Sequence, residues 1–115
     1  MSNRSDATGD RSRSTSDVDA DMWAALAKAV EDLRPGEVVS YGDVAMAAGY
    51  PRRHRAVGTL LRQSLDALPW WRVVYSSGHL PPVNPTLQAS RLMDEGVQIS
   101  GLKVTRSPLG RFAEA

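Results

Sequence analysis

The chain of 115 residues contains no cysteine, and this absence excludes more chemistry than any other feature of its composition. Without a thiol the protein has no disulfide framework, no thiolate metal site and no cysteine nucleophile. Only His54 and His79 are available as nitrogen ligands, so we expect neither a metal nor another cofactor. The sequence also lacks an apolar run as long as a membrane span and a hydrophobic signal region, so we expect a cytoplasmic protein.

Acidic residues are absent from the middle of the chain, although the net charge is only +1. The stretch from Val44 to Leu65 has no Asp or Glu but contains Arg52, Arg53, Arg55 and Arg62. A local basic patch in a near-neutral chain suits a single DNA-facing surface. On charge alone, an ordinary solvated arginine-rich face explains the pattern equally well.

Apolar residues are scarce at the start of the chain, so residues 1–16 are predicted to be a disordered tail and residues 17–115 one domain. Asp17 or Asp19 can cap a first helix, which Pro35 and Gly36 bring to an end. The apolar residues between them recur with helical spacing. They are Trp23, Leu26, Ala27, Val30 and Leu33.

A second, short helix is predicted after an extended link at residues 38–39. Ser40 followed three residues later by Asp43 resembles a capping box, which marks a helix start. The helix is predicted to run to about Ala48, with Gly49 in the position that follows a helix C-terminus.

A third helix is predicted from Pro51, which suits a first helical turn, to about Ser64. Together with the second helix and its glycine turn it forms a helix-turn-helix. Its two sides differ in character, as a recognition helix requires. Val57, Leu60, Leu61 and Ser64 share one side, and Arg52, Arg55, Thr59 and Arg62 cluster on the other.

The second half of the chain predicts less regular structure. Residues 70–75 are expected to be extended, residues 76–78 to form a turn, and residues 81–85 to form a proline-rich loop that cannot be helical. If residues 70–75 are extended, neighbouring side chains point in opposite directions, so Trp70 is expected to meet a pocket and Trp71 the core.

A last helix and a small β element complete the expected fold, which is mostly α. Thr86 can cap the helix, and Gly96 can end it. Its inward-facing residues are predicted to be Leu87, Leu92 and Met93. The apolar residues Val97, Ile99, Leu102 and Val104 suggest the β element, with Leu109 and Phe112 as further anchors.

Residues 69–74, Pro-Trp-Trp-Arg-Val-Val, resemble the Pro-Cys-His-Arg-Val-Val signature of the O6-alkylguanine-DNA alkyltransferases. The resemblance runs from about Trp23 to Ile99 and includes the segments 36–42, 55–58, 76–78 and 95–97. It implies the helix-turn-helix, winged-helix-like fold of the DNA-binding domain of that family.

The resemblance also identifies what this chain is missing. In the family a thiolate takes the alkyl group from guanine and a neighbouring His activates it. Trp70 and Trp71 occupy those two positions, and an indole offers neither a nucleophile nor a basic lone pair. With its partners gone, Glu95 of the family's catalytic network is expected to be structural. The chain is therefore identified as a member of the alkyltransferase-like branch, which binds alkylated DNA without being an enzyme.

The matching positions imply roles in DNA binding. Tyr41 matches a tyrosine that crowds the phosphate of the target nucleotide and assists its rotation, although a packed core aromatic is the alternative. Arg55 matches the arginine finger that enters the base stack through the minor groove, and Arg62 a further DNA contact. The remaining positions implied to lie at the DNA are Ala56 and Gly58, which permit close approach, and Ser76 and Ser77 in the loop that closes over the base. Tyr41, Trp70 and Arg72 are expected to line the lesion pocket.

Two functions are compatible with these features. The first is recognition of O6-alkylguanine in double-stranded DNA by a monomer that flips the base and presents it to nucleotide-excision-repair proteins. The second is a transcriptional regulator that reads a fixed sequence in the major groove. Against it, the third helix has no Asn or Gln near its N-terminus for adenine readout.

Overall fold

The computed structural model describes residues 15–114, which fold around two adjoining apolar cores. The elements are α1 (Thr15–Glu31), β1 (Glu37–Ser40), α2 (Tyr41–Ala47), α3 (His54–Ser64), β2 (Val73–Val74), α4 (Pro85–Asp94), β3 (Gln98–Ser100), β4 (Lys103–Arg106) and β5 (Leu109–Gly110), with 3₁₀ turns at Leu65–Ala67 and Trp70–Arg72. Most of the predicted tail, residues 1–14, lies outside the described residues. Because α1 begins at Thr15, the prediction that Asp17 or Asp19 caps it is wrong.

The first core lies between α1, α2 and α3 and is built from residues one helical turn apart. Leu26 and Val30 of α1 are fully buried, as is Val57 of α3, and Leu61 follows one turn later. Repeated spacings of four residues place these side chains on one face of each helix. The predicted apolar faces of the first and third helices are therefore confirmed.

β1 lies at the centre of a three-stranded parallel sheet, between β2 and β5. Val39 pairs with Val73 on one side, and Glu37 pairs with Leu109 on the other. The sequence predicts only an extended link here. Both partners come from distant parts of the chain, so the local pattern around β1 does not reveal the pairing.

α4 begins earlier than predicted. Pro85 is its first residue and Asn84 its N-cap, so the predictions of a non-helical Pro85 and of a cap at Thr86 are wrong. Proline suits the first helical position because the N–H it lacks has no partner within the helix. Asn84 adopts a left-handed conformation at φ 57°, which asparagine tolerates better than most residues.

The buried face of α4 differs in part from the predicted one. Leu92 is fully buried, as predicted, but Met93 is 54% exposed, so its predicted inward position is wrong. Gln88 is buried instead, and its amide donates to the carbonyl oxygens of Trp71 at 3.1 Å and Val73 at 3.0 Å. Buried amides are normally hydrogen-bonded, and these bonds dock α4 onto the Trp70–Arg72 turn and the first residue of β2.

β3 and β4 form an antiparallel hairpin, which confirms the predicted small β element. Val97 and Val104 are buried in the second core, while Leu102 at the hairpin turn is half exposed. After β4 the chain returns to β1 as β5. No helix within residues 15–114 is long and apolar enough to cross a membrane.

Candidate nucleic-acid interface

The candidate interface begins at the start of α2, where a local sequence pattern sets the backbone. Ser40 Oγ accepts a hydrogen bond from the Asp43 backbone N–H at 3.0 Å. The Asp43 carboxylate in turn accepts one from the Ser40 N–H at 2.9 Å, so the predicted capping box is confirmed. α2 ends at Ala47, and Gly49 at φ 89° turns the chain toward α3.

α3 carries its positive charge on the side that faces solvent. The helix begins at His54, not at Pro51 as predicted, because residues 51–53 form a turn in which the Arg53 N–H bonds to the Tyr50 carbonyl at 2.9 Å. Val57 points into the first core. The exposed arginines of the turn and helix, called here the basic face, are Arg52, Arg53, Arg55 and Arg62.

Tyr41, the first residue of α2, lies where three segments of the interface meet. Its ring is 5.9 Å from the ring of Tyr75, at an angle of 44°. A Cβ added to Gly58 would contact both Tyr41 Cε1 at 4.0 Å and Arg62 Nη1 at 3.5 Å. The structure thus brings together Tyr41, Gly58 and Arg62, with Ala56 half-buried on the same helix.

The Tyr41 phenol stays protonated at physiological pH. Burial, reinforced by neighbouring Tyr75, raises its pKa to about 12, and the positive charge of Arg62 opposes this shift only in part. A neutral phenol can donate a hydrogen bond to a phosphate oxygen without adding a negative charge that would repel it. Tyr41 is half-buried and packs against the edge of the first core, so one ring serves the fold and the surface together.

The predicted extended segment at residues 70–75 is wrong for its first three residues. Trp70–Arg72 is a 3₁₀ turn, in which the Arg72 N–H bonds to the Pro69 carbonyl at 3.2 Å. Side chains in a 3₁₀ turn do not alternate between two faces. The Trp70 and Trp71 rings therefore meet edge to face, with centroids 6.1 Å apart, instead of pointing in opposite directions. Trp70 packs against the first core and Trp71 against the second.

Glu95 joins the two halves of the fold at this turn. Its carboxylate accepts hydrogen bonds from Arg72 Nη2 at 2.7 Å, Arg72 Nε at 3.0 Å, Trp71 Nε1 at 2.9 Å and the Gly36 N–H at 2.8 Å. Burial alone raises the pKa of Glu95, but these bonds outweigh it and hold the pKa below its usual value. Arg72 also donates to the Leu33 carbonyl oxygen at 2.9 Å, so its guanidinium group is bonded within the fold. That Arg72 lines the lesion pocket stays a prediction.

The two indoles donate hydrogen bonds to carboxylates but offer no acid-base chemistry. Trp71 Nε1 donates to Glu95, but the indole has no second nitrogen that could take a proton from residue 70. Trp70 Nε1 donates to Asp66 at 2.9 Å, and Asp66 also binds Arg91 at 3.0 Å. Among residues 15–114, no three His, Asp or Glu side chains lie close enough to hold a metal ion.

Sequence reasoning missed Tyr75 and Arg91. Tyr75 directly follows the Pro-Trp-Trp-Arg-Val-Val segment and is 44% exposed, so an aromatic next to the motif was the available signal. Arg91 lies 4.9 Å from the Trp71 ring centroid and 5.7 Å from that of Trp70, within cation–π distance of both. No local pattern marks this arginine, because α4 meets the turn only in the folded chain.

Ser76 and Ser77 lie in an exposed turn beside Tyr75, at the same edge as Tyr41. The Gly78 N–H bonds to the Tyr75 carbonyl at 2.8 Å, so the predicted turn is confirmed. Ser77 Oγ lies 2.8 Å from His79 Nδ1. The residues predicted to bind DNA lie in two places. Tyr41, Ser76, Ser77 and the residues of α3 form one group, and Trp70 and Arg72 of the 3₁₀ turn form the other.

Comparison with known families matches residues 21–97 to the DNA-binding domain of 6-O-methylguanine DNA methyltransferase. A DNA base-flipping protein of Escherichia coli K12 is 42% identical over 84 residues, which are 70% of this chain and 62% of that protein. A DNA base-flipping protein of Vibrio parahaemolyticus is 35% identical over 75 residues, which are 62% of this chain and 75% of that protein. The chain therefore spans less than two thirds of the E. coli relative.

Solved structures share the fold. Atl1 of S. pombe, in complex with damaged DNA containing O6-carboxymethylguanine, matches with a TM-score of 0.65 and 28% identity, over 74% of this chain and 86% of that one. A variant of the M. tuberculosis O6-methylguanine methyltransferase matches with a TM-score of 0.58 and 22% identity, over 88% and 58%. The predicted fold class is confirmed. With Trp70 and Trp71 in place of the reactive pair, the chain belongs to the alkyltransferase-like branch of the 6-O-methylguanine DNA methyltransferase family.

Proposed function

We propose that this protein recognises O6-alkylguanine in double-stranded DNA, turns the base out of the helix and holds it without removing the alkyl group. The observation that carries the proposal is the pair of indoles at the 3₁₀ turn. Trp71 Nε1 donates a hydrogen bond to Glu95, but neither indole can act as the nucleophile or as the base that activates one, and the chain has no cysteine. We propose that the groups on the surface around this turn bind the DNA.

The basic face supplies affinity for any duplex. Its exposed guanidinium groups neutralise phosphates and release counterions, a contribution that depends on salt and not on sequence. Arg55 at the N-terminal end of α3 is proposed to enter the base stack from the minor groove, with Ala56 and Gly58 allowing the helix to approach closely. A side chain at Gly58 would not clash with the rest of the fold. Packing therefore does not require glycine here, and we propose that its absent side chain leaves space for the DNA.

Tyr41 and the 3₁₀ turn are proposed to receive the extruded nucleotide. The neutral phenol of Tyr41 crowds and binds the phosphate, and Ser76 and Ser77 close over the base. Trp70 and Arg72 line the pocket, where a flat indole can stack on a base. Alkylation at O6 removes the guanine N1–H and weakens pairing with cytosine, so an alkylated base costs less to extrude than guanine.

Matched duplexes that differ only in one O6-methylguanine test the proposal. We expect tighter binding to the modified duplex, and a 2-aminopurine placed beside the lesion should become brighter as the stack opens. The DNA recovered afterwards should contain all of its O6-methylguanine when the nucleosides are digested and quantified. Stoichiometric loss of the methyl group would contradict a non-enzymatic role.

The same titration separates this function from a sequence-specific regulator. A regulator would bind according to flanking sequence and would ignore the methyl group.

We further propose that the protein acts as a monomer and presents the distorted DNA to nucleotide-excision-repair proteins. DNA binding and base flipping are supported by the relatives named as base-flipping proteins and by the complex of Atl1 with damaged DNA. The repair partner is proposed because a protein that does not remove the alkyl group needs another activity to do so.

A further inference from the structure

The segment after β4 lies beyond the residues that match the family, and it returns to the candidate interface. Gly110 adopts φ 86°, and a Cβ added there would collide with the Val38 carbonyl oxygen. The next residue, Arg111, donates its backbone N–H to the same carbonyl at 2.9 Å. The backbone of Arg111 is therefore fixed against Val38 of β1, the strand that leads into α2.

The Arg111 side chain joins two segments that are far apart in the sequence. Its Nη1 donates to Asp43 Oδ1 at 3.1 Å, and Asp43 belongs to the capping box of α2. Its Nε donates to the Ser76 carbonyl oxygen at 3.2 Å. One guanidinium thus connects the first turn of α2 with the Tyr75–Gly78 turn.

These two segments carry the aromatic pair of the interface. Tyr41 begins α2, Tyr75 begins the turn, and their rings are in contact. The far end of the turn is held by the hairpin, since the Val104 N–H donates to the Gly78 carbonyl at 2.8 Å. Ser76, between the two ends, is exposed, and the bond from Arg111 is the described contact that ties its backbone to α2.

We propose that Arg111 is a positioning residue for lesion recognition, which holds the Tyr75–Gly78 turn against α2 before DNA binds. The proposal rests on the proposed function, because it assumes that this turn closes over an extruded base. A turn already in place loses less conformational entropy when the base arrives. Arg111 therefore raises the affinity for DNA with an extruded base. Affinity for an unmodified duplex comes from the basic face and does not depend on Arg111.

The test compares Arg111→Met with Arg106→Met. Methionine keeps an unbranched, largely apolar stem but lacks the guanidinium group and donates no hydrogen bond. Arg106 is the matched control, since it lies on the same C-terminal segment and its pair with Glu114 is exposed. Affinity is measured for the duplexes with and without O6-methylguanine over a range of salt concentrations, and hydrogen exchange at residues 75–78 is measured in the free protein.

We expect Arg111→Met to weaken binding of the modified duplex about tenfold, the equivalent of one charge-assisted hydrogen bond. Binding of the unmodified duplex and its salt dependence should stay as in the wild type, and exchange at residues 75–78 should become faster. Arg106→Met should change none of these. Equal loss on both duplexes with a weaker salt dependence would mean that Arg111 contacts a phosphate directly, and it would overturn the proposal. Wild-type binding or wild-type exchange would also overturn it.

A second variant covers the case in which Arg111→Met lowers the melting temperature enough to unfold the domain. Arg111→Lys keeps the charge beside Asp43, but a single ammonium cannot reproduce the fork that reaches two acceptors. It should therefore melt like the wild type and still lose lesion affinity, whereas full lesion affinity would overturn the proposal. Hydrogen exchange is measured without DNA, so it tests whether Arg111 holds the turn even if the wild type shows no preference for the modified duplex. Failure of the Arg111 proposal can therefore be distinguished from failure of the proposed function.

Discussion

The helical half of the molecule and the half that follows Leu68 are held together in different ways. α1, α2 and α3 share a core of apolar side chains at helical spacing, with Leu26, Val30 and Val57 fully buried. The second half has its own apolar core, but its segments are joined by buried polar groups, above all Glu95 and Gln88. The first half is specified by local periodicity, and the second by hydrogen bonds between distant residues.

This difference divides the proposed function as well. The part of the basic face on α3, Arg55 and Arg62, follows from that helix alone, because burial of Val57 and Leu61 turns its opposite side to solvent. The arrangement around the 3₁₀ turn exists only when α4, the residue before β1 and the turn are assembled, because Glu95 bonds to Gly36 and Gln88 bonds to Trp71. Changes at Arg62 should therefore alter DNA affinity in general, whereas changes at Arg55, the proposed finger, should act on the complex with the lesion. Changes in the second half should alter stability as well as lesion recognition.

The largest effect should come from Glu95→Ala. Removal of this carboxylate leaves the Arg72 guanidinium buried without its charged partner, since the two side chains are only 14% and 11% exposed. We expect a loss of about 3–5 kcal/mol in the free energy of unfolding. Urea denaturation measures it, and Asp32→Ala is the control, because its pair with Lys28 is exposed to solvent and should contribute far less. Similar losses in the two variants would contradict the contrast between the halves.

Acid should remove the same contribution in the wild type. The hydrogen bonds to Glu95 keep its pKa in the folded protein below the unfolded value of about 4.5. The carboxylate therefore stabilises the fold above that pH, and the stabilisation disappears as the pH falls through the folded pKa. A Glu95→Gln variant should lose less stability than the wild type between neutral pH and pH 3 when both are followed by thermal melting.

The next largest effect concerns the missing chemistry. Trp70→Cys alone should not transfer alkyl groups, because Trp71 cannot deprotonate a thiol whose ordinary pKa is near 8.5. Adding Trp71→His places a base beside Glu95 but removes a large side chain that packs against the second core, at a cost of about 2–4 kcal/mol. We expect slow single-turnover transfer at most, measured by the mass of the protein after incubation with alkylated DNA. Robust transfer by the single variant would mean that Trp71 is no barrier.

Arg55→Ala should reduce affinity for the lesion by about 1–3 kcal/mol, because the extruded state loses a charged donor that fills the stack. A 2-aminopurine beside the lesion should report less unstacking in this variant. Arg53→Ala, on the neighbouring turn of the basic face, is the matched control and should leave the unstacking signal unchanged. An Arg55→Ala protein that binds and flips as the wild type does would place the finger elsewhere.

The smallest effect should come from Arg62→Ala, which tests the general part of the interface. If Arg62 binds a phosphate, the variant should weaken binding of modified and unmodified duplexes alike. The slope of log affinity against log salt should fall by about one. A selective loss on the modified duplex would instead assign Arg62 to the lesion pocket, beside Tyr41.

The sequence by itself determined the helical half and the chemistry that is absent. The capping box at Ser40, the glycine turn at Gly49 and the apolar face of α3 are local patterns, and each formed as predicted because its interactions span only a few residues. The absence of cysteine and the indole at residue 71 excluded thiol transfer before any coordinates were needed. The resemblance of short motifs identified the family.

Only the tertiary structure decided how the second half is arranged. Residues 70–72 form a 3₁₀ turn because Gln88, Glu95 and the strands beside β1 hold them, and these partners are distant in sequence. The burial of Gln88 in place of Met93, the position of Arg91 over the indoles and the bond from Arg111 to the turn have the same origin. Periodicity reports which face of a helix is apolar, but the burial of Gln88 depends on carbonyl acceptors that are distant in sequence and meet it only in the folded chain.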